Sequence, residues 1–166
     1  MIVNMQQPRD GNYLLIVDID GTINEMGQKF DHARVRDIPP MEAAKEVLRA
    51  FLKRGSTIVY LTGRNEVEYK NETLDWLARH GFPGGEAVVF YSKKYGAWTW
   101  KSYISFKLSE IAKLERDNEN QEILILDDND SILRAAVKEG RKGFKIRSPR
   151  DWHELKARFI NQASLF

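Results

Sequence analysis

The sequence contains no cysteine among its 166 residues. This absence excludes disulfide bonds, thiolate nucleophiles and cysteine-ligated zinc or iron–sulfur sites, and it suits a reducing cytoplasm. The N-terminal stretch MIVNMQQPRDGNY has no positive region followed by a long apolar run, and no later apolar run reaches the length of a membrane span. The sequence therefore predicts a cytoplasmic protein with no membrane partner.

Histidine-based and nucleotide-binding motifs are also missing. The three histidines lie far apart, and neither GxGxxG nor a Walker-type GKS or GKT motif occurs. Zinc-dependent hydrolysis and Ser-His-Asp catalysis therefore have few residues to use. An excess of one charge is lacking too, because 26 lysines and arginines against 24 aspartates and glutamates give a net charge of +2. This total does not indicate a nucleic-acid-binding protein, although it is compatible with local basic patches.

The sequence does contain a regular alternation of apolar runs and amphipathic segments. A length of 166 residues with 42% hydrophobic and 30% charged residues is typical of one globular domain, which we expect to span residues 1–166. Strands that alternate with helices need crossover connections, so we predict an α/β fold whose mostly parallel sheet has helices on both faces. The predicted strands are residues 13–18, STIVYLTGR, EAVVFY, EILILDD and GFKI, and the predicted helices lie in MEAAKEVLRAFLKRG, in residues 65–80 with Asn65 as cap, in residues 107–116, in SILRAAVKEG, and from Trp152 onward with Asp151 as cap.

Polar residues follow three of the predicted strands directly. The carboxyl ends of parallel strands meet at one edge of a sheet, where ligands gather in such folds. Carboxylates brought together there repel one another unless a cation joins them, and Mg²⁺ prefers oxygen ligands. The sequence therefore predicts a magnesium site. Its candidate residues are Asp18 and Asp20, Thr62 with Gly63 and Arg64, the group Asp127, Asp128 and Asp130, and Lys107 before the fourth strand.

The first of these strands ends in the stretch DIDGT. Side chains two apart on a strand point the same way, so Asp18 and Asp20 can face one pocket while Ile19 turns into the core. One carboxylate could attack phosphorus, while the other protonates the leaving oxygen and then activates water.

The motifs DIDGT, YLTGR, Lys107 and LILDD have the order and approximate spacing of the four motifs of the haloacid dehalogenase (HAD) superfamily of phosphatases. The chain resembles this superfamily over residues 14–140. The resemblance implies a three-layer Rossmann-like fold and Mg²⁺-dependent hydrolysis of phosphomonoesters through an aspartyl-phosphate. It further implies the following roles: Asp18 as nucleophile, Asp20 as general acid/base, Thr62 as hydrogen-bond donor to the phosphoryl group, Lys107 as neutralising cation, and Asp18, Asp20, Asp127 and Asp128 around the metal.

Asp130 departs from the superfamily pattern. Many members place a further aspartate four or five residues after the metal-binding one, whereas Asp130 follows Asp128 by two. Asp130 could serve the metal or cap the following helix, and we favour capping because aspartate is a strong N-cap residue.

The gaps between the motifs are too short for a cap domain. Residues 24–40 have room for a flap only, and residues 81–106 for a strand and a short excursion, so we expect an open site that a second copy of the chain could cover. Within the superfamily, the chain resembles the 3′-phosphatase part of polynucleotide kinases, which implies that Lys29, Gly63 and Arg64 contact the phosphate of a polynucleotide 3′ end. Lipin-like lipid phosphatases share the sequence motif DIDGTI. Small nucleotide or sugar phosphates are alternative substrates.

The stretch SKKYGAWTWKSYISFK, which ends at Lys107, interleaves lysines with aromatic residues. An exposed hairpin of this composition could bind a single nucleic-acid strand through stacking and phosphate contacts. Alternatively, Trp98 and Trp100 pack one face of a small flap on the domain or on a second subunit, and we favour this packing.

Three other classes of protein share some of these features. A two-component receiver domain uses similar residues, but it places the acidic pair first and the lysine last. A non-catalytic binding protein of HAD fold would not require the intact motif residues. A phosphomutase normally needs a closing cap that excludes water.

Overall fold

The computed structural model describes residues 12–27 and 29–161. The N-terminal residues 1–11, in which the sequence predicts no leader, therefore lie outside the described residues. Five strands form one sheet in the order β3-β2-β1-β4-β5, and all four pairings are parallel. The strands are β1 (Tyr13–Val17), β2 (Thr57–Asn65), β3 (Val88–Tyr91), β4 (Glu122–Asp127) and β5 (Lys142–Lys145).

Within the described residues, five α-helices flank this sheet. They are α1 (Ala44–Lys53), α2 (Glu66–Arg79), α3 (Trp100–Asp117), α4 (Asp130–Lys138) and α5 (Pro149–Lys156). Short 3-10 turns lie at His32–Arg34 and Lys93–Tyr95, and a π-helical turn at Ala157–Asn161 follows α5. The α/β fold with a parallel sheet is thus confirmed.

The helices divide between two apolar cores, one on each face of the sheet. Because β1 is buried on both faces, alternate residues of this strand serve different cores. Leu15 and Val17 pack with residues of α1, α2 and α5, whereas Leu14 and Ile16 pack with residues of α3 and α4. None of the helices in the described part is long and apolar enough to cross a membrane.

The register of the central strands brings the polar strand ends to one edge. Val17 pairs with Tyr60 on β2 and with Leu126 on β4. The next backbone N–H, that of Asp18, donates to the Leu126 carbonyl at 2.9 Å. Asp18 therefore lies beside the ends of both neighbouring strands, as the sequence predicts.

The end of β2 is irregular in a way that the sequence does not reveal. The pairing with β3 shifts between Thr62 and Asn65, so that Gly63 and Arg64 lie in a bulge. Bulges re-aim side chains at the edges of sheets. Asn65 then caps α2, as predicted, and its side chain accepts from the backbone N–H groups of Val67 and Glu68.

Two predicted helix caps are wrong. Asn129 has the extended backbone of an N-cap, and its Oδ1 accepts from the N–H groups of Ser131 and Ile132, whereas Asp130 is already the first residue of α4. At α5, Ser148 is the N-cap, and Asp151 lies three residues further on, where its carboxylate accepts from the backbone N–H of Ser148 at 2.9 Å. In both cases a second capping residue stands close by in the sequence and takes the position.

The segment around the tryptophans is not a hairpin, and the favoured packing of Trp98 and Trp100 on the domain is also wrong, because these side chains are 57% and 51% exposed. Their packing on a second subunit stays a prediction. The segment forms a 3-10 turn, and α3 begins at Trp100, seven residues earlier than the apolar periodicity indicates. Thr99 and Ser102 form a reciprocal capping box, with Ser102 N donating to Thr99 Oγ1 at 3.0 Å and Thr99 N donating to Ser102 Oγ at 2.8 Å. Serine at the third helical position is a weaker sequence signal than glutamate, which explains the error.

A flap follows β1, as the short gap between motifs predicts. Its two ends meet at an antiparallel bridge between Asn24 and Pro40. The indole N–H of Trp76, on α2, donates to the Ile38 carbonyl at 2.9 Å and ties the flap to the domain.

Candidate active site

Asp18 and Lys107 form the buried centre of the site. The Lys107 ammonium lies 2.6 Å from Asp18 Oδ1, 3.2 Å from Asp127 Oδ2 and 2.5 Å from the Leu61 carbonyl oxygen. Lys107 comes from α3, whereas Asp18 directly follows β1, Asp127 is the last residue of β4, and Leu61 lies inside β2 just before its bulge. A long helix on one face of the sheet thus delivers one cation to three adjacent strands.

Burial and charge act on this centre in opposite directions. Burial raises the pKa of Asp18 well above its ordinary value, Lys107 opposes this shift, and the neighbours Asp127 and Asp128 reinforce it. Although burial acts to lower the pKa of Lys107, the Asp127 and Asp18 carboxylates raise it well above its ordinary value. Lys107 therefore stays positively charged.

Three carboxylates gather at this centre. Oxygens of Asp18, Asp127 and Asp128 lie within 4.8 Å of one another. Burial, together with the neighbouring Asp127 carboxylate, raises the pKa of Asp128 to about 6. A group of hard, negatively charged oxygens with a single lysine between two of them suits a Mg²⁺ ion, which is held by a few carboxylates. The donor set therefore fits the predicted metal. The Asp20 carboxylate is not part of this group.

Asp20 is held by Arg64. The guanidinium donates to both carboxylate oxygens, from Nε at 2.9 Å and from Nη2 at 2.6 Å. Its third donor, Nη1, contacts the Thr73 hydroxyl on α2 at 2.9 Å, and the guanidinium lies 5.9 Å from the centre of the Phe30 ring. Arg64 is only 3% exposed, so in this conformation it orients Asp20 and is not free to bind a ligand.

Asn24 shapes the turn between the two aspartates and the flap. Its Oδ1 accepts from the backbone N–H groups of Gly21 and Met26, and its Nδ2 donates to Asp20 Oδ1 at 3.0 Å. Gly21 has φ +80°, and a Cβ there would lie 2.6 Å from Asp128 Oδ2. Both the backbone conformation and the close approach of the Asp128 carboxylate require glycine at this position.

The remaining predicted residues differ in position. Thr62 is fully buried, and its hydroxyl accepts from the Arg64 backbone N–H at 3.2 Å. Gly63 packs directly on the Tyr103 ring, since a Cβ there would lie 2.5 Å from Tyr103 Cε2. Lys29 is exposed in the flap and is not among the residues that line the cavity. The structure thus brings every predicted site residue together except Lys29.

A cavity of about 540 Å³ opens above the aspartates. It lies between the flap, the start of α2 and the start of α3. Two aromatic groups line it. One consists of Phe30 and His32 of the flap with Tyr69 of α2, and the other consists of Trp98, Trp100 and Tyr103. Of the described residues that line the cavity, Arg64 is the sole lysine or arginine.

Several residues of the site were missed by sequence reasoning. Asn24 and Thr73 lie outside the motifs and hold Asp20 directly or through Arg64. Tyr103 could have been found, because it stands one helical turn before Lys107 on the same side of α3. Its ring centre lies 5.7 Å from the Lys107 ammonium.

The sequence matches the model of a known family, the LNS2 domain of PITM 1-3, over residues 15–124. This match includes the first three motifs and the first half of β4, and it ends before Asp127 and Asp128. No curated protein matches the chain.

Solved structures share the fold. A chain of the Pnkp1/Rnl/Hen1 RNA repair complex is 17% identical with a TM-score of 0.66, over 82% of this chain and 43% of the other. The class C acid phosphatase of Bacillus anthracis, with tungstate bound, is 15% identical with a TM-score of 0.56, over 92% and 77%. The cobalt-bound deoxy-D-mannose-octulosonate 8-phosphate phosphatase of Haemophilus influenzae is 12% identical with a TM-score of 0.54, over 96% and 95%. The present chain thus spans less than half the length of the RNA repair protein. At these identities the likeness establishes the fold.

Proposed function

The chain belongs to the PITM 1-3 LNS2 domain family and to the HAD superfamily, and from this premise we propose that it is a Mg²⁺-dependent phosphomonoester hydrolase. One observation carries the proposal. Asp18, a buried carboxylate at the end of the central strand, is paired with a buried lysine and lines the cavity. Such an arrangement is expensive to bury and serves little structural purpose, so a catalytic role is favoured.

Asp18, Asp127 and Asp128 are the residues that would hold the metal. When bound, Mg²⁺ supplies positive charge to the phosphoryl oxygens and lowers the repulsion between the phosphate and the carboxylates. The neutralising contribution of the chain itself comes from Lys107, whose ammonium contacts both Asp18 and Asp127.

The proposed reaction has two steps, formation of an aspartyl-phosphate and its hydrolysis. An Asp18 carboxylate oxygen attacks phosphorus, the bond from phosphorus to the ester oxygen breaks, and the leaving oxygen takes a proton from Asp20. Water then attacks the phosphorus of the aspartyl-phosphate and gives its proton to Asp20, and the bond to Asp18 breaks. Since Arg64 engages both oxygens of Asp20, proton transfer requires Asp20 to turn from Arg64 toward the leaving oxygen.

The substrate proposal has a broad and a narrow form. The broad form is a phosphomonoester small enough to enter the cavity of about 540 Å³. The narrow form is a polynucleotide 3′-phosphate end, supported by the motif pattern and by a structural neighbour from an RNA repair complex. The two phosphatase neighbours support the broad form.

Phosphate release tests the proposal. We expect release from a panel of small phosphomonoesters or from a 3′-phosphorylated oligonucleotide in the presence of Mg²⁺, and loss of that release with EDTA. Asp18→Asn should abolish turnover, whereas Asp117→Asn, an exposed aspartate at the end of α3, should leave it unchanged. A ³²P-labelled substrate should transiently label the wild-type protein and not Asp18→Asn. Release that is independent of Asp18 would contradict the mechanism. No release from any substrate would favour a non-catalytic binding protein.

A further inference from the structure

We propose that Trp98 and Trp100 form a binding subsite for a flat aromatic ring, of the nucleobase type, carried by the leaving group of the substrate. This inference rests on the proposed function, and it names the class of ester that the site selects. It is argued from the exposure of the two rings, their connection to the phosphoryl site and the charges of the cavity.

The two indoles are exposed although the segment that carries them is well fixed. Trp98 is 57% exposed and Trp100 is 51% exposed, whereas the other two tryptophans, Trp76 and Trp152, are completely buried. Because both indoles lie against the Tyr103 ring, they form one continuous aromatic patch, and such exposed patches mark sites that bind a ligand or a partner. The two tryptophans flank Thr99, the N-cap of α3, so the capping box holds the backbone on both sides of it in place.

A buried tyrosine on β3 also holds the start of α3 in place. The Tyr91 hydroxyl on β3 donates to Ser102 Oγ, the other member of the capping box, at 2.9 Å. The indoles are therefore presented from an ordered helix start, which reduces the entropy lost when a ligand binds.

Tyr103 connects the indoles to the phosphoryl site. Its ring centre lies 5.9 Å from that of Trp98 and 5.5 Å from that of Trp100. The same ring packs against Gly63 and lies 5.7 Å from the Lys107 ammonium. A ring stacked on Trp98 or Trp100 would thus be separated from the proposed catalytic centre by one aromatic side chain, and in a nucleotide the sugar bridges the base and the phosphate across such a gap.

The charges of the cavity favour a neutral ring over further phosphates. Arg64 is already engaged by Asp20 and Thr73, and the lining also contains the carboxylates of Glu68 and Asp128. Additional phosphate groups inside the cavity would meet negative charge there, so the further phosphates of an oligonucleotide would have to lie outside it. A flat, uncharged ring can instead stack on the faces of indoles, which is how proteins bind bases without reading their sequence.

Two matched pairs of substrates test this subsite, and they distinguish a base carried by a mononucleotide from a base at the end of an oligonucleotide. The first pair is adenosine 5′-monophosphate and ribose 5-phosphate, which differ only in the base. The second is a 3′-phosphorylated oligonucleotide whose terminal residue carries a base or is abasic. In at least one pair we expect the base-bearing ester to have a kcat/KM about tenfold higher or more.

Variants assign the preference to the indoles. The double variant Trp98→Ala/Trp100→Ala should remove the preference by raising KM for the base-bearing ester about tenfold, with kcat and the base-free ester little changed. Trp98→Phe/Trp100→Phe should retain part of the preference. Val137→Ala, an exposed apolar residue on α4, is the matched surface control.

Binding supplies a readout that does not depend on turnover. With Asp18→Asn, adenosine 5′-monophosphate or the base-bearing oligonucleotide should quench tryptophan fluorescence, because Trp98 and Trp100 are exposed, and the double Ala variant should lose this quenching. Equal hydrolysis of both members of each pair, with no quenching, would overturn the subsite while leaving the proposed function intact. Tryptophan-dependent hydrolysis of phosphatidic acid in vesicles, without any base preference, would also overturn it. Quenching without any hydrolysis would support the subsite and contradict the proposed function.

Discussion

Lys107 is the residue whose removal should have the largest effect. Its loss leaves Asp18 and Asp127 buried without a cation, a situation that typically destabilises a protein by about 3 to 5 kcal/mol. We expect Lys107→Met to lower the free energy of unfolding by this amount, measured by urea denaturation, and to abolish phosphate release. Lys113→Met, at an exposed position on the same helix, should change neither quantity. Equal stability of the two variants would contradict the role of the ion pairs.

Asp128 makes stability depend on pH. Its pKa is about 6 in the metal-free folded protein and about 3.9 in an unfolded chain, so the folded state holds the proton more tightly. Its stabilising contribution is therefore complete below about pH 4 and is lost as the pH rises through about 6. Since Mg²⁺ binds the ionised carboxylate, the increase in Tm caused by Mg²⁺ should grow between pH 5 and pH 7.

Thermal unfolding with and without Mg²⁺ across this range measures the effect. Asp128→Asn should remove most of the Mg²⁺-dependent increase in Tm at pH 7. An increase of the same size at pH 5 and pH 7 in the wild type would show that Asp128 does not bind the metal.

The residues of the candidate site that could be identified from the sequence alone are those that belong to one of the four motifs. Asp18, Thr62 and Asp127 could be placed at one edge because strand ends in a parallel sheet must meet there. Lys107, which lies on a helix, was assigned to the site from the order of the motifs. The partner of Arg64 could not be found in this way. Its contact with Asp20 joins residues 44 positions apart in the sequence. The contact also depends on a bulge in β2 that no local sequence pattern predicts.

At the scale of elements, the start of α4 offers a direct test of the corrected cap. Asn129→Ala should destabilise the protein by about 1 kcal/mol, because the N–H groups of Ser131 and Ile132 lose their acceptor. Asp130→Ala removes only exposed ion pairs with Lys145 and Arg147, so its effect should stay within about 0.5 kcal/mol. The free energies of unfolding of the two variants show which residue caps α4. A larger loss of stability in Asp130→Ala than in Asn129→Ala would identify Asp130 as the cap.

Strands were predicted more reliably than helix starts. A strand buried on both faces reads as a continuous apolar run, so β1 and β4 are evident from composition alone. A helix that begins outside the core carries no such run. The first turn of α3 holds its aromatic side chains toward the cavity and is defined by Thr99 and Ser102, and its apolar periodicity becomes visible only nearer Lys107.

At the scale of the whole molecule, helix α5 supports the turn that follows Asp18. The indole N–H of Trp152 on α5 donates to the Thr22 carbonyl at 3.0 Å, across 130 residues, and the Thr22 hydroxyl contacts Asp18 at 3.4 Å. Trp152→Phe leaves that buried carbonyl without its donor, which should destabilise the protein by about 1 to 3 kcal/mol and lower kcat. Trp76→Phe likewise removes the indole donor of the Ile38 carbonyl in the flap, and it should reduce stability while leaving kcat unchanged. Unchanged kcat in Trp152→Phe would show that α5 only supports stability.

The geometry of Lys107 also decides how a phosphate can enter. An ammonium has three hydrogens, and those of Lys107 already point to Asp18, Asp127 and the Leu61 carbonyl. A phosphate oxygen that approaches this nitrogen must therefore replace one of the three acceptors. In the proposed reaction, Lys107 therefore binds the substrate by exchanging one of its present acceptors for a phosphate oxygen. Until then it neutralises Asp18, the proposed nucleophile.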